Sequence, residues 1–192
     1  MSNSSSDLTP PGAAAAVSDR GSEMNHALRA KVDGVFRGVA TELADGGRLT
    51  VRAPRDSVVP VLRFLKEEGV DFLQLVSCVD WVERGAFEIV YVLSSYVGEE
   101  NPPGAARAGV IVKVELPREG ASLDSSIGVF PAAEPYEREL HELFGVHFEG
   151  HPRLTPLFLE REYEVPPFRK DFDTRKYVED HFGRIPPVEE GS

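Results

Sequence analysis

The stretch Phe87-Glu88-Ile89-Val90-Tyr91-Val92-Leu93-Ser94 decides the fold. Phe87, Ile89, Tyr91 and Leu93 fall on one side of an extended chain, with Glu88, Val90 and Val92 on the other. This period of two predicts a strand with one face in a core. Residues 110–116 repeat it, with Val110, Val112, Val114 and Leu116 against Lys113 and Glu115. Residues 72–79 add a third β-rich run. One buried face and one wetter face mark an antiparallel or mixed sheet with helices on one side.

Helical patterns flank these strands. Leu28, Val32, Val35, Phe36 and Val39 recur at helical spacing, so ordered structure is expected from about Asn25, with a helix ending near Gly38. Ala44-Asp45-Gly46-Gly47, between Leu43 and Leu49, suits a hairpin turn. Asp56 or Ser57 can cap a second helix that has Pro60 in its first turn. Val58, Val61, Leu62 and Leu65 form its stripe, and Gly69 closes it. Residues 96–108, with Pro102, Pro103 and Gly104, read as a loop. A third helix is expected over 135–144, with Tyr136, Leu140, Leu143 and Phe144 buried and Gly145 as its stop. Glu137–His141 and Arg138–Glu142 are read as i,i+4 pairs on its exposed faces. The expected class is α+β: a small mixed or antiparallel sheet with helices packed on one side, followed by an extended C-terminal tail.

Composition sets outer limits. A chain of 192 residues with 41% hydrophobic content can form one core, burying about 70% of its extended surface. Twenty-one basic against 32 acidic residues give a net charge of −11, which argues against nucleic acid and against direct attraction to anionic lipid. The single cysteine, Cys78, rules out an internal disulfide, a redox Cys pair and an iron–sulfur cluster held by this chain alone. No run approaches the ~20 apolar residues that span a bilayer. Residues 1–24, rich in Ser, Ala and Pro, lack the basic start and apolar core of a signal peptide. They are expected to be a disordered leader on a cytoplasmic protein.

The body is expected over residues 25–150 and a tail over 151–192. In the tail Pro152, Pro156, Pro166, Pro167, Pro186 and Pro187 interrupt every periodic pattern. Leu154, Leu157, Phe158, Leu159, Tyr163, Phe168, Phe172, Tyr177 and Phe182 nevertheless keep it apolar. Such a segment is too aromatic for a solvated linker. Proline denies it a helix or central strand of its own. It is expected to lie extended, either on its own domain or on another protein.

Titratable residues concentrate around Glu137, Glu139, Glu142, His141, His147 and His151. A zinc or iron site would need ligands on one helix face, but His141 and His147 are six apart and Gly145 intervenes, so solvated or interface histidines are the better reading. Among nucleophile and phosphate motifs, no GxSxG elbow, P-loop or GxGxxG set occurs, and no catalytic, cofactor or metal residue is assigned. Asp80-Trp81 ends a strand, with structural roles favoured. Arg169-Lys170-Asp171-Phe172 is read as an anchor, its arginine bonding a partner's carboxylates and the flanking rings filling pockets.

The run Tyr136-Glu137-Arg138-Glu139-Leu140-His141-Glu142-Leu143-Phe144-Gly145-Val146-His147-Phe148-Glu149-Gly150-His151-Pro152, then Pro167-Phe168-Arg169-Lys170-Asp171-Phe172, resembles a known signature. It is that of the C subunit of bacterial NADH:quinone oxidoreductase, the complex I 30-kDa subunit family. Val79-Asp80-Trp81 and residues 87–93 resemble the family's paired strands. The resemblance implies a non-catalytic peripheral-arm subunit of a proton-translocating complex at the cytoplasmic face of the cell membrane. It implies docking on a large hydrogenase-like subunit and an iron–sulfur subunit. NADH, FMN, iron–sulfur clusters and quinone would belong to those partner subunits, and membrane contact would come only through the complex. Glu137, Arg138, Glu139, His151, Pro152, Arg169, Lys170, Asp171 and Phe172 are then the expected interface residues. Related subunits serve energy-converting hydrogenases and F420H2 dehydrogenases, which is the alternative. A stand-alone metal-dependent hydrolase using His141, His147 and His151 is a remote one.

Overall fold

The computed structural model describes residues 11–44, 47–95, 108–159, 163 and 165–183, with side chains from residue 21 onward. Expectations for residues 1–10, the Asp45-Gly46 turn, the loop at 96–107 and Pro186-Pro187 lie outside the described residues. The order of elements is α1 (Pro11–Val35), β1 (Ala40–Leu43), β2 (Leu49–Arg52), α2 (Val58–Glu67), β3 (Phe72–Trp81), β4 (Ala86–Ser94), β5 (Gly109–Pro117), β6 (Ser122–Asp124), α3 (Ala133–Phe144), β7 (His147–Glu149) and α4 (Thr174–Phe182).

Five strands form one mixed sheet in the order β1-β2-β5-β4-β3. β2 and β5 run parallel, and the other neighbours are antiparallel. The register explains the core. Ile89 faces Cys78 on one side and Val114 on the other, and Tyr91 faces Val76 and Val112. All of these lie on the sheet face that packs with Leu28 and Val32 of α1, the α2 stripe, and Ala133 and Leu140 of α3 in one apolar cluster. On the other face Val90, Val92 and Ile111 are half-buried and Glu115 is exposed. The fold is α+β with a mixed sheet, as the alternation predicts.

The β1–β2 hairpin pairs Leu43 with Leu49. Ser57 precedes α2 but its side chain makes no capping hydrogen bond; a 3₁₀ turn over Arg55–Ser57 leads into the helix instead. Gly69, at φ 89°, closes α2, with Val70 N–H donating to Leu65 O at 2.9 Å. Two short elements escape the sequence pattern: β6 and β7 pair in parallel, with Leu123 opposite Phe148. Three residues per strand are too few to show a period.

Two boundaries are corrected. The leader expected through residue 24 is helical from Pro11, because the run Ala13–Ala16 consists of the residue with the highest helix propensity. Buried Asn25 fixes this helix on the sheet, donating to Gly47 O at 2.7 Å and Gly109 O at 3.3 Å. The tail, expected to be extended, forms α4. Residues 168–185 contain no proline, and Asp173 caps the helix by accepting from Lys176 N–H at 2.9 Å.

Candidate docking site

Helix α3 sends its charged side chains in different directions. Glu137, expected on an exposed face, is fully buried. Its carboxylate accepts from Ser125 Oγ, Ser126 Oγ and Ser126 N–H, each at 2.7 Å. It therefore ties the turn after β6 to α3 and projects no charge outward. The physical reason is periodicity: Glu137, Leu140 and Phe144 stand at i, i+3 and i+7 on one helix face. Burial, and then the nearby Glu137 charge, push the Tyr91 phenol above its usual range.

Arg138 and Glu142, read as a pair facing each other, instead hold the tail by its main chain. Arg138 Nε donates to Thr155 O at 2.9 Å and Nη2 to Pro156 O at 2.8 Å. Glu142 accepts from Leu157 N–H at 2.7 Å, Phe158 N–H at 3.0 Å and Leu159 N–H at 3.4 Å. One residue takes carbonyls and the other takes amides, so the first pass of the tail lies along α3. Glu139 is half-buried and forms no ion pair or hydrogen bond among the described residues. His151 begins the pass: Nδ1 accepts from Arg153 N–H at 3.0 Å and Nε2 faces Glu134 O at 3.4 Å. Pro152 is exposed.

The second pass returns to the sheet end. Gly145 caps α3 at φ 79°, and a Cβ there would lie 3.0 Å from the Pro166 ring. Phe168 N–H donates to Leu143 O at 3.0 Å. Arg118, after β5, donates through Nε and Nη2 to Asp80 at 2.7 and 3.0 Å. The same guanidinium donates through Nη1 and Nη2 to Asp171 at 3.0 and 2.7 Å. Asp80 also accepts from Lys170 N–H at 2.9 Å.

Burial alone would raise the Asp80 carboxyl, but the Arg118 and Lys170 bonds outweigh it and hold it below the usual range. The Arg118 hydrogen bonds likewise lower Asp171, and Arg118 itself is raised by both acids. Arg169, the expected anchor for a partner's carboxylate, bonds Glu119 of its own chain at 3.1 Å. The guanidinium carbons of Arg118 and Arg169 each lie 5.7 Å from the Phe87 ring. Lys170 Nζ stands 6.0 Å from Trp81. Phe172 packs on Tyr163 and Tyr177, with ring centroids 6.1 and 5.5 Å away.

The histidines do not gather. His141 and His147 meet edge to face at 6.2 Å, while His151 turns to Glu134 and Arg153. Among the described residues no three His, Cys, Asp or Glu side chains converge as metal ligands, so the hydrolase alternative finds no site there. Among the same residues no helix is long and apolar enough to cross a membrane. The sequence reading missed Arg118 and Glu119. Their only signal is position, just beyond the strand that neighbours β4.

An α+β domain whose own C-terminal segment is strapped across α3 and the sheet end is the class of structure these contacts define. Residues 51–178 match the family described as respiratory-chain NADH dehydrogenase, 30 Kd subunit, and the chain belongs to that family. It is 35% identical over 143 residues to the C subunit of NADH-quinone oxidoreductase from Rhodobacter capsulatus, covering 72% of this chain and 67% of that one. Among solved structures it is similar to a chain of the membrane-bound sulfane sulfur reductase, an archaeal respiratory membrane complex. There the TM-score is 0.73 at 27% identity, over 90% of this chain and 96% of that one. A trypsin-resistant fragment of Nqo5 matches with TM-score 0.55 at 29% identity, over 69% of this chain and 97% of the fragment.

Proposed function

We propose that this chain is a non-catalytic peripheral-arm subunit of a proton-translocating NADH:quinone oxidoreductase. It docks on a large hydrogenase-like subunit and an iron–sulfur subunit at the cytoplasmic face of the membrane. The observation that carries the reading is the family match across residues 51–178, which takes in the Asp80–Arg118–Asp171 clasp and the whole of α3. In this reading the charged residues of the signature hold the chain's own turn and tail in place, and NADH, FMN, iron–sulfur clusters and quinone sit in partner subunits.

A second reading, the equivalent subunit of a complex with another electron donor, is favoured by the similarity to the sulfane sulfur reductase chain. A hydrogenase-type or F420H2-type complex belongs to the same reading. The test is to tag the chain at its C-terminus in its native cells and purify from gently solubilised membranes. Recovery of both partner subunits in equal amounts, with NADH-driven quinone reduction, supports the first reading. Recovery of both without NADH activity supports the second. A chain recovered alone overturns both.

A further inference from the structure

The sheet face turned away from the helices carries a buried charge. Glu88 lies on it and is only 8% exposed. Lys113 of β5 donates to its carboxylate at 2.8 Å and Arg52 of β2 at 3.3 Å. The two cations stand opposite each other in the parallel β2–β5 register. Each gives one donor to Glu88, and a guanidinium and an ammonium have more to give. The remaining donors meet no acceptor among the described residues.

Beside them lies a hollow of about 420 Å³, within the ~300–1,000 Å³ of small-molecule sites. Gly38, Ala40, Ala53 and Pro54 complete its walls with Glu115, and their small side chains keep it open. Glu115 is paired with Arg84 at 2.9 Å, so its charge is already met. Arg52 and Lys113 against Glu88 therefore leave one positive charge in excess, on a chain of net charge −11.

We propose that this hollow binds a small-molecule oxyanion, a carboxylate or phosphate group that takes the unused donors of Arg52 and Lys113. The guanidinium fork matches either head group. Glu88 acts through the cations: by holding them side by side it lowers the freedom they lose on binding. The body of the molecule lies against Ala40, Ala53 and Pro54. No residue of the tail lines the hollow, and the inference stands or falls independently of the subunit reading.

The test is an NMR titration of the purified, isotope-labelled full chain at constant ionic strength. Inorganic phosphate and adenosine monophosphate form one arm, acetate and citrate the other. The amides of Arg52 and Lys113 should shift and saturate in at least one arm, and the arm that saturates names the head group. Arg52→Ala and Lys113→Ala should each weaken that binding about tenfold, the effect of losing a hydrogen bond to a charged group. The shifts in the parent chain are read residue by residue, so the test holds even if a variant fails to fold. Shifts that rise without saturating in both arms overturn the site. So do shifts equally large at exposed Arg63 and Arg175, or unchanged affinity in two folded alanine variants.

Discussion

Asp80 accepts a hydrogen bond from the backbone N–H of Lys170 at 2.9 Å, across 90 residues of sequence. The acid ends β3 and the amide belongs to the returning tail, so this bond joins body to strap. Arg118 reinforces it, because one guanidinium serves Asp80 and Asp171 together. The side chains of Asp80 and Arg118 are only 3% and 10% exposed. At such burial a lone charge costs far more than a surface one.

Asp80→Ala is therefore expected to destabilise the chain by about 3 kcal/mol, the scale for breaking a buried pair. The double variant Asp80→Ala with Arg118→Ala should cost less than the sum of the singles, since each single already loses the Asp80–Arg118 bonds and their sum counts that loss twice. Urea unfolding of the four proteins measures it. Strict additivity would mean that the pair contributes nothing as a pair.

Acid should loosen the same junction. Asp80 and Asp171 both lie below the ordinary carboxylate range in the folded chain. The unfolded chain thus binds protons more readily, and the contribution is complete above the unfolded value, about 3.9. It is lost as pH falls through the lower folded values. Amide exchange at Lys170 should stay slow from pH 7 to 5, after correction for the intrinsic rate, and speed up below about pH 4. Asp80→Asn should reduce that acid dependence to the part that Asp171 carries.

Glu142 gathers three consecutive tail amides. Glu142→Ala should expose Leu157, Phe158 and Leu159 to exchange and cost about 1.5–3 kcal/mol, the range for hydrogen bonds to a charged group. Glu142→Gln keeps one acceptor oxygen and should fall between. NMR exchange rates for those amides, beside those of β4, separate a freed tail from a weakened sheet.

Glu137→Ala removes the acceptor for two hydroxyls and one amide inside the core. The expected cost is about 2–4 kcal/mol, because stranded buried donors bear the desolvation penalty. Thermal unfolding measures it. A change within about 0.5 kcal/mol, the size of ordinary surface effects, would show that the buried carboxylate contributes no stability.

Cys78 offers a further readout of packing. Burial, then the Asp80 charge, push its thiol up to about 12, so very little thiolate exists at pH 8. Alkylation by iodoacetamide should be negligible in the folded chain and rapid in 6 M guanidinium. Fast labelling under native conditions would place Cys78 at the surface.

The sheet was legible because burial with period two is local: Phe87, Ile89, Tyr91 and Leu93 announce their face without reference to anything else. The tail's adhesive character was legible too, since aromatics between prolines need something to lie on. What it lies on was not. Arg118 stands 38 residues from Asp80 and 53 from Asp171, and no local pattern chooses among 32 acids. Glu137 was misplaced because its charge outweighed its spacing from Leu140. Helix α4 was missed because prolines at both ends of the tail hid the proline-free stretch between them.

Amide hydrogen exchange on the purified chain, read at Phe168 and Lys170 with no partner present, tests the self-clasped tail most directly. If the strap is intrinsic, both amides are protected well beyond the rates of an unstructured peptide, and Lys170 loses that protection in Asp80→Ala. Exchange of both at unstructured-peptide rates in the parent chain would contradict it.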